Sequence, residues 1–179
     1  MNKQIVVLIG GPGTGKTTLI EGLQAQGYCC YPEISRQVTL EARKQGIEQL
    51  FLENPLLFSE LLLEGRIAQY KNAVEEPHDW VFIDRGIPDV LAYMHYIGDS
   101  YPTHFDAACK EHVYSKIFLL PPWEDIYESD EARYENFEQA RLIAQHLVET
   151  YQHYGYELIE VPKAPPADRV SFILESLTT

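Results

Sequence analysis

Gly10-Gly-Pro-Gly-Thr-Gly-Lys-Thr17 decides how the rest of the 179-residue chain is read. The run satisfies G-x-x-x-x-G-K-[ST] and closes Lys3-Gln-Ile-Val-Val-Leu-Ile-Gly10, a continuous β-branched segment without polar alternation. Such a segment reads as a strand buried on both faces of a parallel sheet. Beyond the motif, Leu19, Ile20 and Leu23 recur at helical spacing over Lys16–Gln26 until Gly27 stops the pattern. Strand, glycine-rich turn and helix is the context the motif requires. The glycines let the backbone curl so that successive N–H groups point inward, and the helix N-terminus adds partial positive charge. Together they bind a polyphosphate. Gly11, Pro12, Gly13, Thr14, Gly15, Lys16, Thr17 and Thr18 are therefore the expected contacts to ATP. Lys16 is expected to bridge the β- and γ-phosphates, Thr17 to offer a hydroxyl to Mg²⁺, and Thr18 to sit near the α-phosphate.

Outward from this unit, strands alternate with helices. Tyr28–Tyr31, Trp80–Asp84, Lys116–Leu120 and Tyr156–Val161 read as further strands, and Ser35–Gln45, Pro55–Val74, Ile87–Ile97, Phe137–His153 and Asp168–Leu177 as helices. The alternation implies an α/β fold, a parallel sheet with right-handed crossovers and helices on both faces. No repeat, low-complexity tract or linker marks a boundary, so residues 1–179 read as one domain, with a short acidic lid around 122–136. The apolar stripe of Pro55–Val74 is explained by packing on the sheet, and could equally support a homodimer.

The charge is uneven. Of 14 Lys+Arg and 27 Asp+Glu, residues 1–44 hold 5 basic and 3 acidic, leaving 9 basic and 24 acidic for residues 45–179. A net charge of -13 argues against general nucleic-acid binding and against anionic membranes. No stretch approaches the roughly 20 apolar residues needed to cross a bilayer. The 3 cysteines give neither a disulfide framework nor CxxC knuckles, and the 6 histidines show no HExxH spacing, so no metal beyond nucleotide-bound Mg²⁺ is expected. The expected setting is soluble and cytoplasmic.

A phosphate loop needs a carboxylate near the metal, supplied from the C-terminal end of a neighbouring strand, where ligands bind in open α/β sheets. Trp80-Val-Phe-Ile-Asp84 offers Asp84, as a Mg²⁺ ligand directly or through water, with a helix N-cap as its other reading. Arg85 follows as an anion clamp. Asp89 is either a substrate contact or a first-turn helix acid. Glu33 and Arg36 in Tyr31-Pro-Glu-Ile-Ser-Arg36 stand three apart, on one face if a helix has begun, and would face the same crevice. Glu33 could accept a proton from an acceptor hydroxyl, or could stabilise the helix start. Glu124–Glu138 carries seven carboxylates and one basic residue, Arg133, placed either to fold over the phosphates or to pair on the surface. Arg66 and Arg141 are parallel candidates. The tyrosines at 151, 154 and 156 read as core and rim packing, and Val161-Pro-Lys-Ala-Pro-Pro166 as a base contact or a turn.

GGPGTGKTT, YPEISR, FIDRGIPDVLAY, ARYE and YGYELIEVPKAPPADRVSFIL, in that order, span nearly the whole chain. In this combination the sequence resembles the small bacterial AAA-domain ATP-binding proteins, which group with the ribosylnicotinamide kinase domain and with thymidylate and deoxynucleoside kinases. The resemblance implies a P-loop NTPase three-layer αβα sandwich, a five-stranded parallel sheet of order 2-3-1-4-5. It implies ATP phosphates on Gly13, Gly15, Lys16 and Thr17, a base at Glu33, and an acid–arginine pair at Asp84–Arg85. A lid with one arginine implies fewer acceptor phosphates than in adenylate-kinase-like proteins, or none.

Oligomeric AAA+ remodelling is disfavoured because no helical lid domain fits after the core. A GTPase switch is disfavoured because no N-K-x-D follows a strand. The reading is an ATP- and Mg²⁺-dependent kinase acting on a small, nucleoside-like hydroxyl acceptor, with Lys16, Glu33, Asp84, Arg85 and Arg133 catalytic and Glu33, Arg36, Arg66, Arg85 and Asp89 holding the acceptor. The alternative is a slow ATPase switch that signals to a protein partner.

Overall fold

A computed structural model describes residues 2–127 and 135–179. β1 (Gln4–Ile9) is buried along five of its six residues because it lies mid-sheet. It pairs in parallel with β3 (Trp80–Asp84) on one side and β4 (Lys116–Leu119) on the other. β2 (Cys29–Tyr31) flanks β3 and β5 (Leu158–Glu160) flanks β4, giving the order β2-β3-β1-β4-β5 with every pair parallel. The sheet, its order and its all-parallel sense are as the sequence implies.

The uninterrupted apolar run of β1 serves two cores. Ile5, Val7 and Ile9 face α4 (Pro55–Glu75), α5 (Ile87–Ile97) and α7 (Phe137–His153). Val6 and Leu8 face α1 (Lys16–Ala25) and α8 (Pro166–Ser176). A strand covered on both faces cannot alternate polar with apolar residues, which is why the run reads as it does. α4 spends Phe58, Leu62, Leu63 and Ala73 on this packing and leaves Leu56, Leu57 and Val74 exposed. Among the described residues no helix is long and apolar enough to cross a membrane.

α2 (Ser35–Lys44) lies between β2 and α4. Two short helices escape the sequence reading: α3 (Leu50–Glu53) and α6 (His104–Glu111). The first is one turn long, and the second follows Pro102 and shows only Phe105, Ala108 and Cys109 as an apolar stripe, too few residues for a 3.6-residue period to stand out. β5 is three residues shorter than its sequence pattern, as befits an edge strand whose ends lack a second partner.

Candidate nucleotide and acceptor site

The chain leaves β1 into a loop that closes against its neighbours so tightly that side chains cannot enter. A Cβ on Gly10 would meet the Leu120 carbonyl oxygen at 2.6 Å, and one on Gly11 would meet the Ala140 carbonyl oxygen at 2.8 Å. Gly13 and Gly15 take φ of 76° and 92°, left-handed values that L side chains resist. The first turn of α1 has no side-chain cap, so its amides are left for a ligand. Lys16 curls back over the loop, donating to the Gly10 carbonyl at 2.8 Å and to Gly11 at 3.0 Å. Burial, reinforced by Arg85, lowers its pKa to about 8. Thr17 and Thr18 are exposed at the helix start.

β3 ends one strand away. Asp84 is only 4 % exposed, and among the described residues its Oδ1 is buried without a hydrogen-bond partner. Burial raises its pKa, with Lys16 and Arg85 opposing. A buried carboxylate oxygen without a donor, at the end of the strand next to the phosphate loop, suits a hydrated divalent cation. The backbone N–H of Arg85 continues the ladder to Leu8 at 3.0 Å, and the residue then turns left-handed with φ of 69°.

Side chains from three helices and a helix-to-strand loop hold that turn. Arg66 of α4, 3 % exposed, donates Nη1 to the Gly86 carbonyl at 2.9 Å and Nη2 to Glu33 Oε1 at 3.2 Å. Asp89 of α5 accepts from the Gly86 N–H at 2.9 Å through Oδ2, and the fully buried Tyr151 of α7 donates to the same oxygen at 2.5 Å. The Tyr114 hydroxyl accepts from the Ile87 N–H at 3.0 Å. Burial opposes the ionised form of Glu33, but Arg85, Arg66 and the bonds from Ser35 outweigh it and bring its pKa down to about 2.

α7 touches both halves. The Ala140 carbonyl seals Gly11, and eleven residues later the Tyr151 hydroxyl lies 2.7 Å from where a Gly86 Cβ would be. Between the phosphate loop and the Arg85 turn opens a cavity of about 680 Å³. Glu33, Arg36, Arg66, Arg85 and Asp89 line its polar part, and Pro12, Phe51, Phe58, Leu62, Val90 and Tyr93 its apolar part. An open groove along α2, past Arg36 and Arg43, runs out from the same Glu33.

Glu33, Arg66, Arg85 and Asp89 thus converge, with Lys16 and Asp84 beside them. Glu33 precedes α2 rather than joining it, so it does not share a helix face with Arg36; it caps the Ser35 N–H at 2.9 Å, and Arg36 is exposed on the rim. Asp89 is first a helix-start acid, its Oδ2 committed to Gly86 and Tyr151. Arg141 is exposed and paired with Glu138 at 3.3 Å, away from the cavity. Arg133 lies outside the described residues.

Tyr151 is core packing, as the sequence reads, but its bond to Asp89 was not foreseen, and Arg169 was not singled out. Arg169, 2 % exposed, donates to the Thr14 carbonyl at 2.9 Å and stacks over Trp123 at 5.5 Å. Both carry a legible signal. Tyr151 continues the Ala140, Ala144, Leu147 stripe, and Arg169 stands four residues before Ile173 on the buried face of α8. A polar group on a core stripe must have a partner.

The profile of the AAA domain family matches residues 5–169. The chain belongs to this family. Solved structures share its fold at low identity. A NadR protein in complex with NR superposes with TM-score 0.76 at 15% identity over 99% of this chain and 52% of that one. A deoxyadenosine kinase from M. mycoides, with products bound, gives TM-score 0.69 at 14% identity over 98% of both chains. The chain spans about half the length of the NadR proteins it matches, 52% and 50%. No curated protein matches the sequence. At these identities the likeness speaks to the fold alone, a parallel sheet covered by helices on both faces.

Proposed function

We propose that this AAA-domain chain is a kinase that moves the γ-phosphoryl group of ATP to a hydroxyl of a small, nucleoside-like acceptor. The observation that carries the reading is the cavity of about 680 Å³ beside the phosphate loop, lined by Glu33, Arg66, Arg85 and Asp89 and by the rings of Phe51, Phe58 and Tyr93. A nucleotide switch has no use for a second chamber there. The NR in one structure of the same fold and the dCMP in another are consistent with such an acceptor.

The chain's own groups suffice to describe the step. An acceptor hydroxyl forms a bond to the γ-phosphorus as the bond to the β,γ-bridging oxygen breaks, and ADP departs with the electron pair. Lys16 and Arg85 offset the charge on the phosphoryl oxygens, and Arg66 keeps Glu33 aimed at the hydroxyl. With its pKa near 2, Glu33 accepts a hydrogen bond and orients the nucleophile, but is too weak a base to keep the proton. The proton leaves late, to the transferred phosphoryl group or to water, as a loose transition state allows. Thr17 and Asp84 would hold a hydrated Mg²⁺, which supplies further neutralisation of the phosphates when bound.

The test is ADP release from Mg-ATP with and without a pool of nucleosides, ribosyl-pyridines and nucleoside monophosphates, with Lys16→Ala as blank. Release that rises with the pool is expected; slow release indifferent to it would overturn the kinase reading in favour of a switch. Glu33→Gln should lower acceptor-dependent turnover about tenfold to a hundredfold while ATP affinity holds, since only the orienting group is lost.

A further inference from the structure

The opposite end of the sheet from the phosphate loop gathers a second set of chemical groups. β2 begins at Cys29, which pairs with Val81 near the start of β3, whereas Asp84 ends that strand. α4 stops at Glu75, and Glu76 and His78 lie in the turn that leads into β3. The Cys29 sulfur, a Glu76 carboxylate oxygen and a His78 ring nitrogen all lie within 4.8 Å of one another. Among the described residues no other group of three such side chains comes this close. The trio is held from outside. Tyr31 donates to Glu76 Oε1 at 2.8 Å, which fixes the plane of the carboxylate, and the Lys3 ammonium donates to the Glu76 and His78 carbonyls, which fixes the turn. Cys29 and Glu76 are half-buried and His78 is exposed.

We propose that Cys29, Glu76 and His78 form a site for a divalent cation of borderline softness, Zn²⁺ by its chemistry, that pins the edge strand β2 to the turn before β3. Thiolate, imidazole and carboxylate are the donor types zinc takes, and the thiolate and carboxylate together carry the two negative charges that neutralise it. The Cys29 proton is released as the ion binds. Mg²⁺ and Ca²⁺ want oxygen donors throughout, which the sulfur denies them. With Zn–S of ~2.3 Å and Zn–N of ~2.0 Å, donor atoms of a tetrahedral centre stand ~3.5 Å apart, a spacing the exposed His78 ring can reach by rotating. Three protein ligands leave the fourth position to water on the solvent side. β2 has three residues and a single partner strand, so a cross-link here supplies what its short ladder lacks. Motif reading cannot find this set, because its members come from two distant stretches with no CxxC or HExxH spacing.

The proposal is independent of phosphoryl transfer. The test uses the full reduced chain, stripped with a chelator and kept in excess Mg²⁺, then titrated with Zn²⁺ by calorimetry and with Co²⁺ by absorption. Co²⁺ should develop a thiolate-to-metal charge-transfer band and the intense visible bands of a tetrahedral centre. Cys29→Ser should abolish the charge-transfer band, whereas Cys30→Ser, on the other face of the strand, should keep it. His78→Ala should weaken Zn²⁺ about a hundredfold and Glu76→Gln about tenfold. Because His78 is exposed, its removal leaves the metal-free fold intact, and the rise in melting temperature that Zn²⁺ gives the native chain should vanish with it. Co²⁺ bound without a sulfur band, or Zn²⁺ affinity indifferent to both Cys29→Ser and His78→Ala, would overturn the site. Zn²⁺ binding that disappears in Asp84→Asn would place the ion at the phosphate loop and overturn it as well. Acceptor-independent ADP release, by contrast, would sink the kinase reading and leave this site standing.

Discussion

The phosphate loop and the Arg85 turn lie next to each other at the end of neighbouring strands, yet they are built in opposite ways. The loop is made of backbone. Eight consecutive residues, Gly10–Thr17, shape it, and its glycines are there because Leu120, Ala140 and left-handed φ values leave no alternative. The turn is made of side chains: Arg66, Asp89, Tyr114 and Tyr151 come from four places in the chain to grip the peptides around Gly86. A backbone device tolerates change outside its own residues, whereas a side-chain device fails when any contributor is removed.

That contrast is breakable. The largest effect should come from the loop side. Lys16→Ala removes the charge nearest the phosphates, and Mg-ATP turnover should fall about a hundredfold to a thousandfold, read from initial rates, with the melting temperature nearly unmoved. On the turn side the order reverses, and stability should suffer first. Arg66→Ala strands Glu33 and the Gly86 carbonyl, a loss of about 3 kcal/mol that should lower the melting temperature by roughly 6–12 °C. An unchanged thermal transition would show that the turn holds itself.

Smaller changes sharpen the same comparison. Tyr151→Phe deletes one hydrogen bond to Asp89, about 1–2 kcal/mol, and should lower kcat while leaving the KM for ATP as it was. A change in KM alone would place Tyr151 with the loop instead. The smallest effect is in pH. Below about 8 Lys16 is already charged, so ATP affinity should be flat; as pH rises through 8 the ammonium is lost and affinity should decline, by at most about tenfold per unit. Glu33, with its pKa near 2, should contribute no inflection between pH 5 and 8 in a rate profile.

How much of this was legible follows from the same distinction. The loop, the strands and the sheet order could be read because each depends on contiguous residues or on a resemblance that spans the chain. Asp84 and Arg85 could be placed because they end a strand. The partnership of Arg66 with Glu33, 33 positions away, could not be derived, because separation along the chain says nothing of which helix face meets which loop. Arg36 lines the same cavity as Glu33, as the spacing suggests, but not by sharing a helix face with it: α2 begins at Ser35, so Glu33 stands before the helix. Tyr151 and Arg169 were visible as polar residues on apolar stripes, and what they bond to was not.

Gly11 and Gly86 are 75 positions apart and belong to different halves of the site, yet one rod, α7, presses on both through Ala140 and Tyr151. Among descendants of a common ancestor, such positions should drift as a set. A sequence carrying alanine at 86 is expected to have surrendered the tyrosine at 151 as well, and one with a bulkier residue at 11 to have a displaced or kinked helix. Covariation between 86 and 151 would thus be a heritable record of how far the two binding flanks are allowed to move apart.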